Sequence, residues 1–250
     1  MVERLLLNIP PGLIVSCQAY AGEPLFGADI MGAYARAAQV GGAVAVHAGL
    51  VADLAEIRRT TALPLIGMHK GAYSRTAPYI TTTFAQARAV AEAGSDVIEI
   101  DGTWREHERA IPLKTLIDFI HIELNKPVLA GVSCLEDAAC AQSLGADALS
   151  TFLAGYTAHG RPMLDGPDLA FVAQVAERTR VPVIAEGRFK TPAQVAEAMH
   201  LGAHAVLVAA AITRPQDITR RFVEAMNRNR DQNPALITAS RELIPDRVPT

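Results

Sequence analysis

Two short phrases alternate along the chain, and together they leave few folds open. One is glycine, a small residue and an apolar run: GGAVAV at 41–46, GSDVIEI at 94–100, GADALST at 145–151 and GAHAVLV at 202–208. The other is proline followed by an apolar run: PLIG at 64–67, PVLAG at 127–131 and PVIAEG at 182–187. Each follows a segment whose apolar residues recur at helical spacing. Glycine at a helix C-terminus adopts the left-handed turn that ends the helix. Proline at the first position of a strand stops the helix and lacks only a donor that the ladder does not use there. Each phrase therefore reads as a helix end followed by a strand.

With LIVS at 13–16, this gives eight short strands, near 13–16, 43–46, 65–67, 97–100, 127–130, 148–151, 183–185 and 205–208. Helices fit between them, for example at 52–60, 84–93, 135–144 and 192–199. A strand–helix unit every roughly 25–30 residues implies parallel strands joined by right-handed crossovers. Eight units in 250 residues predict an α/β chain closed into a (β/α)8 TIM barrel rather than an open doubly wound sheet, because this length is typical of that barrel. Residues 1–228 are expected to form this single domain. The polar tail 229–250 is expected to pack on the barrel or to serve a homodimer contact.

Composition excludes several function classes. The net charge is −3 and no Lys/Arg-rich arm or stripe stands out, so no nucleic-acid partner is expected. No stretch approaches the roughly 20 apolar residues of a membrane span. The opening MVERLLLNIPPG has too short an apolar run for a signal-peptide core and carries Glu3. The cysteines, Cys17, Cys134 and Cys140, form no C-x-x-C motif, and the histidines share no ligand spacing. Neither a disulfide framework nor a metal site is expected, and such cysteine usage suits a reducing cytoplasm.

In a barrel of this kind the loops after the strands carry the chemistry. Those positions hold Cys17-Gln18, His47, His69-Lys70, Asp101, Gly131-Val132-Ser133, Thr151 leading to Gly155-Tyr156-Thr157, Glu186-Gly187-Arg188, and Ala209-Ala210-Ala211 leading to Thr213-Arg214. A lysine desolvated in a barrel mouth becomes a base or an imine-forming amine; by position alone, Lys70 reads equally as a surface lysine. Glu186 can orient that lysine or polarise a hydroxyl, or form a rim salt bridge. Gly187 lets backbone N–H groups approach an anion, and Arg188 and Arg214 add charge, which fits the phosphate site that barrels build after strands 7 and 8. Arg214 alone reads equally as a structural residue. His47 is expected to face the pocket, and Cys17 to be a small buried hydrophobe. A proton-transfer isomerase, an imine-forming aldolase and a barrel that only binds its ligand all remain open, although binding alone needs no base.

Several phrases together resemble one family: LIVSCQA-x-x-GEPL at 13–25, GGAVAV, IG-x-x-K at 66–70, YITTT at 79–83, DVIEIDGT at 96–103, GYT at 155–157, GPD at 166–168, VPVIAEGR at 181–188 and AITRPQ-x-IT-x-RF at 211–222. They are similar to those of the N-acetylmannosamine-6-phosphate 2-epimerases of amino-sugar and sialic acid breakdown, over roughly residues 12–227. The resemblance implies an isomerase that inverts C2 of a phosphorylated N-acyl amino sugar with no cofactor. It implies that Lys70 moves the C2 proton and that the Glu186 carboxyl assists. Gln18 then contacts the sugar, and Gly187, Arg188 and Arg214 hold the phosphate. His47, Asp101 and Tyr156 are expected beside Gln18 at the sugar, and Ala210 beside the phosphate.

The chain departs from the family phrases at two places. His47 stands where they carry an arginine, and Gly131 where they carry an aspartate; the resemblance assigns both to the reacting end of the substrate. A third change, Ala209-Ala210-Ala211 before Ile212, leaves backbone donors in place. Gly131 is expected to open space and remove an acceptor. His47, with an ordinary pKa of about 6.5, is expected to bring a pH dependence near neutrality. The double change His47→Arg with Gly131→Asp is expected to raise kcat/KM on N-acetylmannosamine 6-phosphate more than either change alone, since an unpaired charge is costly in a closed site. Kinetics of the four proteins across pH measure this.

Overall fold

The computed structural model describes residues 9–105 and 110–232. Eight parallel strands close in sequence order: β1 Gly12–Ser16, β2 Ala45–Ala48, β3 Leu65–Gly67, β4 Val97–Asp101, β5 Val128–Gly131, β6 Ala148–Ser150, β7 Val183–Glu186 and β8 Ala205–Val208. β8 returns to β1 with Ile14 beside Leu207. The intervening helices are α1 Ala28–Val40, α2 Val51–Thr60, α3 Phe84–Glu92, α4 Leu113–Ile122, α5 Leu135–Ser143, α6 Leu169–Arg178 and α7 Pro192–His200. A short α8, Ala210–Thr213, and a long α9, Pro215–Gln232, follow β8. The expected (β/α)8 barrel is the fold observed.

Local chemistry sets the element ends. Thr83 and Thr191 accept from the N–H groups of Gln86 and Gln194, whose side chains reach back, so α3 and α7 begin on capping boxes. Gly94, Gly145 and Gly202, from the repeated phrase, all have positive φ. They form the left-handed exits that the sequence requires. β2 is the exception. It starts two residues later than expected, because Ala43 N–H still bonds the carbonyl of Ala38 at the end of α1. His47 therefore lies inside the strand rather than after it. The last helix also runs past residue 228 to Gln232, so 229–232 are helix; the rest of the expected tail lies outside the described residues.

Alternation along the strands divides the core. In β4, Ile98 and Ile100 face the helices, whereas Val97 joins Ile14, Ala45, Ile66, Leu129, Ala148, Ile184, Ala205 and Leu207 inside the barrel. That apolar plug seals the N-terminal end and supports what lies above it. Among the described residues no helix is long and apolar enough to cross a membrane.

Gly67 on β3 packs tightly against the end of α3 and the turn that follows it. A Cβ there would lie 2.0 Å from Ser95 Oγ and 2.8 Å from Val90 Cγ1. Gly67→Ala is expected to destabilise the fold by about 1–3 kcal/mol, the usual cost of overpacking, as measured by urea unfolding. An unchanged midpoint would mean that the α3 contact is loose.

Candidate active site

At the C-terminal end of the strands lies a cavity of about 750 Å³, the size of a small-ligand site. Its wall includes Gln18, Lys70, Tyr156, Glu186, Gly187, Arg188, Ala210 and Arg214. Of the residues singled out in the sequence, His47 and Asp101 are not on this wall.

Lys70 is the third residue after β3. Its N–H bonds the Gly49 carbonyl, and the segment folds back so that Gly71 N–H bonds Tyr79 O and Thr81 N–H bonds His69 O. The side chain is steered by Tyr20, whose hydroxyl is 2.7 Å from Nζ, and its ammonium lies over the rings of Tyr20 and Phe152. Tyr20 also packs under the Arg214 guanidinium at 4.5 Å. Glu23 accepts from Tyr20 N–H and pairs with Arg214 at 3.3 Å. The β1 loop is thus a strap that holds the amine and the arginine toward one space.

Glu186 ends β7 and is 8 % exposed at the cavity floor. Its backbone is fixed twice by Thr151: Glu186 N–H donates to Oγ1, and Oγ1 donates to the Glu186 carbonyl. Ser150 Oγ donates to its carboxyl at 2.7 Å. Burial, and then the neighbouring Glu99 carboxyl, push its pKa up to about 8. Because order in the barrel follows sequence, β3 and β7 lie on opposite sides, and Lys70 and Glu186 both line the cavity.

Gly187, with φ +115°, and Arg188, with φ 59°, form two consecutive left-handed residues after β7. The Arg188 guanidinium donates to the carbonyls of Ala154 and Gly166 and lies over Tyr156. Much of its donor fork therefore ties the β6 loop to the β7 loop. The first N–H groups of α8 have no partner within the helix, and Ala210 places them at the wall. Tyr73, Tyr79, Phe152 and Tyr156 make an aromatic side, with Tyr73 edge-on to Tyr79 and Tyr156.

Beneath the floor is a buried polar layer. His47 is fully buried; its Nδ1 meets Ser16 Oγ at 2.8 Å and its Nε2 lies 3.1 Å from Glu99 Oε2. Burial lowers the His47 pKa to about 4, so it stays neutral where the sequence led us to expect titration. Burial raises Glu99 to about 7. The groups that titrate near neutrality are therefore the two carboxyls. Gly131 does not open onto the cavity either: a Cβ there would contact Leu153 and the Ile100 carbonyl at 3.5 Å. The double change at 47 and 131 would rebuild this buried layer, not the sugar's own contacts. Asp101 is also buried, accepting from Thr103, from Tyr79 N–H and from Arg105 at 2.8 Å. It braces the β3 and β4 loops.

Cys134, Asp137 and His159 come within ligand distance of one another, a juxtaposition that sequence spacing did not reveal. The Asp137 carboxylate already accepts from Trp104 N–H and from Ser133 N–H and Oγ. Strand-end reading also missed Glu99, Ser16 and Tyr20. For Glu99 the signal was a charged residue inside the apolar run VIEI; for Tyr20 there was none beyond its place in the β1 loop.

A closed barrel whose C-terminal cavity is walled by a lysine, a buried carboxyl and two arginines is the framework of a small-ligand enzyme. A model of the family described as "Putative N-acetylmannosamine-6-phosphate epimerase" matches residues 31–228. Two relatives named "Putative N-acetylmannosamine-6-phosphate 2-epimerase" are similar along most of their length. The one from Caldanaerobacter subterraneus subsp. tengcongensis is 41% identical over 93% of this chain and 98% of its own. The one from Cutibacterium acnes is 40% identical over 90% and 97%. The solved N-acetylmannosamine-6-phosphate 2-epimerase of Clostridium perfringens superposes with a TM-score of 0.83 at 38% identity, covering 88% of this chain and 96% of that one. The chain belongs to the N-acetylmannosamine-6-phosphate epimerase family. A thiamine phosphate pyrophosphorylase from Pyrococcus furiosus, 19% identical with a TM-score of 0.55, shares the fold.

A carboxyl whose folded pKa is raised stabilises the fold fully below its unfolded pKa and loses that contribution as pH rises through the folded value. For Glu186 this window runs from 4.5 to about 8. The Tm of Glu186→Gln relative to the native protein is expected to rise from pH 5 to pH 9; a constant difference would mean that the carboxyl is solvated.

Proposed function

We propose that this protein interconverts N-acetylmannosamine 6-phosphate and N-acetylglucosamine 6-phosphate, with Lys70 and Glu186 as its catalytic residues. The observation that carries the reading is their placement: an amine and a carboxyl on opposite strands facing one cavity. Inversion at carbon needs a proton removed from one face and delivered to the other.

In the open-chain sugar, C2–H is acidified by the C1 aldehyde. The Lys70 amine takes that proton, and the C–H electron pair moves into the C1–C2 bond as the carbonyl becomes an enolate at O1. Glu186, in its acid form, delivers a proton to C2 from the opposite face and the carbonyl re-forms. Solvent restores both groups: the ammonium gives its proton to water and the carboxylate takes one from water. Gln18 and the aromatic side position the sugar. The phosphate lies against the N–H groups of Gly187 and Ala210, with the charges of Arg188 and Arg214. Arg188 is held by carbonyl bonds that join two loops, and Arg214 by its ion pair with Glu23. Sugar phosphates of this kind are intracellular metabolites, consistent with a cytoplasmic enzyme.

Lys70→Met is expected to fold normally and to lose roughly 100-fold or more in kcat, the usual contribution of a general base; loss within about 10-fold would assign the proton to another group. Arg214→Ala is expected to raise KM about 10- to 150-fold, the equivalent of one charge-assisted hydrogen bond, with a smaller change in kcat. Equal affinity of the native protein for phosphorylated and unphosphorylated sugar would contradict the phosphate site.

A further inference from the structure

The buried layer contains one ionisable group that the reaction as written does not use. Glu99 lies at the inward position of β4, fully buried, above the apolar plug and below the cavity floor. As a carboxylate it is poorly served: neither oxygen has a hydrogen-bond partner, and His47 Nε2, though 3.1 Å away, is not aligned to donate. Its other close neighbours are Ser150 and the Glu186 carboxyl.

The donors can be followed one hydrogen at a time. Ser150 Oγ accepts from Phe152 N–H and gives its hydrogen to Glu186 Oε2, so it has none for Glu99. On the other side, Gln18 Nε2 donates to Ser16 Oγ, and Ser16 Oγ and His47 Nδ1 share a hydrogen bond of 2.8 Å. What remains beside the buried, unpartnered Glu99 carboxyl is the Glu186 carboxyl. Unprotonated, both are acceptors and both are charged, in a site closed to water. One proton between them makes a hydrogen bond and removes one charge.

We propose that Glu99 is a positioning residue for the epimerisation: it shares one proton with Glu186 and so keeps the Glu186 carboxyl in its acid form beneath C2 of the sugar. The groups facing the pair are His47 from β2, Lys70 from the β3 loop and Ser150 from β6. β1, β5 and β8 present Ser16, Gly131 with Leu129, and Leu207, none of which titrates in this range. The raised pKa values of both carboxyls agree with the sharing. The pair titrates in two steps that belong to both residues together. Hydrogen bonds run from Gln18 on the cavity wall through Ser16 to His47, whose Nε2 lies 3.1 Å from Glu99.

The role rests on the proposed function, but its physical core does not, so two measurements separate them. In the native protein labelled with 13C at the glutamate carboxyls, the two resonances lost in Glu99→Gln and Glu186→Gln are expected to titrate together in two steps, one of them above pH 6. If both titrate singly below about pH 5.5, near the ordinary carboxylate range, the sharing is overturned, whatever the enzyme's activity. In kinetics, Glu99→Gln is expected to shift the alkaline limb of kcat down by one pH unit or more, with KM changed less than about twofold. An unmoved limb in a folded variant would make Glu99 a structural residue only. Should Glu99→Gln fail to fold, the resonances are assigned through Glu186→Gln and the native titration decides alone. Absence of native epimerisation with the two-step titration intact would count against the substrate, not against the shared proton.

Discussion

The burial of two neighbouring carboxyls, Glu99 and Glu186, is the constraint around which this barrel's mouth is arranged. Closing eight strands turns every second side chain into a space that water does not reach, and most of these positions are filled by small and branched apolar residues. One layer from the mouth, however, the chain places two carboxyls, an imidazole and two hydroxyls. Two carboxylates there would repel with little screening, because the effective dielectric inside a protein is low. Neutral His47 cannot offset them, since burial makes its charged form as unfavourable as theirs. A shared proton relieves the repulsion and leaves an acid at the floor of the cavity, where the opposing amine can work against it.

The loops above are braced largely by groups that do not touch this layer. Asp101 and Arg105 form a buried ion pair that ties the β4 loop to the backbone of the β3 loop. Arg188 bridges the β6 and β7 loops through carbonyl oxygens. Tyr20 and Glu23 connect the β1 loop to Lys70 and to Arg214. Each brace is a charge-assisted or cation–aromatic contact, stronger than a neutral hydrogen bond of equal length. The cavity is therefore shaped mainly by side chains that tie one loop to the next.

The strands were legible because their boundaries are written in backbone chemistry: glycine where φ must be positive and proline where a helix must stop. β2 was misplaced by two residues because GGAVAV reads as strand from Ala43, whereas Gly42, with positive φ, is the helix exit and the strand begins three residues after it, as it does after Gly94, Gly145 and Gly202. That slip moved His47 from the interior to the rim, and with it the expected source of pH dependence. Lys70, Glu186 and Arg214 were legible as polar groups next to strand ends. Asp101 was equally so, yet its carboxylate is fully engaged by Thr103, Tyr79 and Arg105, and sequence position does not reveal partners. Glu99 was passed over because attention to loops skips the strand interior, although an acid at an inward register of a buried strand was the more unusual feature.

The central claim is that two different groups handle the C2 proton from opposite faces. It is tested most directly by proton NMR of the native enzyme turning over N-acetylmannosamine 6-phosphate in D2O, followed from the earliest conversion. Delivery from Glu186 requires the first N-acetylglucosamine 6-phosphate formed to carry deuterium at C2 while the remaining substrate still carries protium. Product that retains the substrate's own proton at C2 would show that a single group removes and returns it, and would contradict the account.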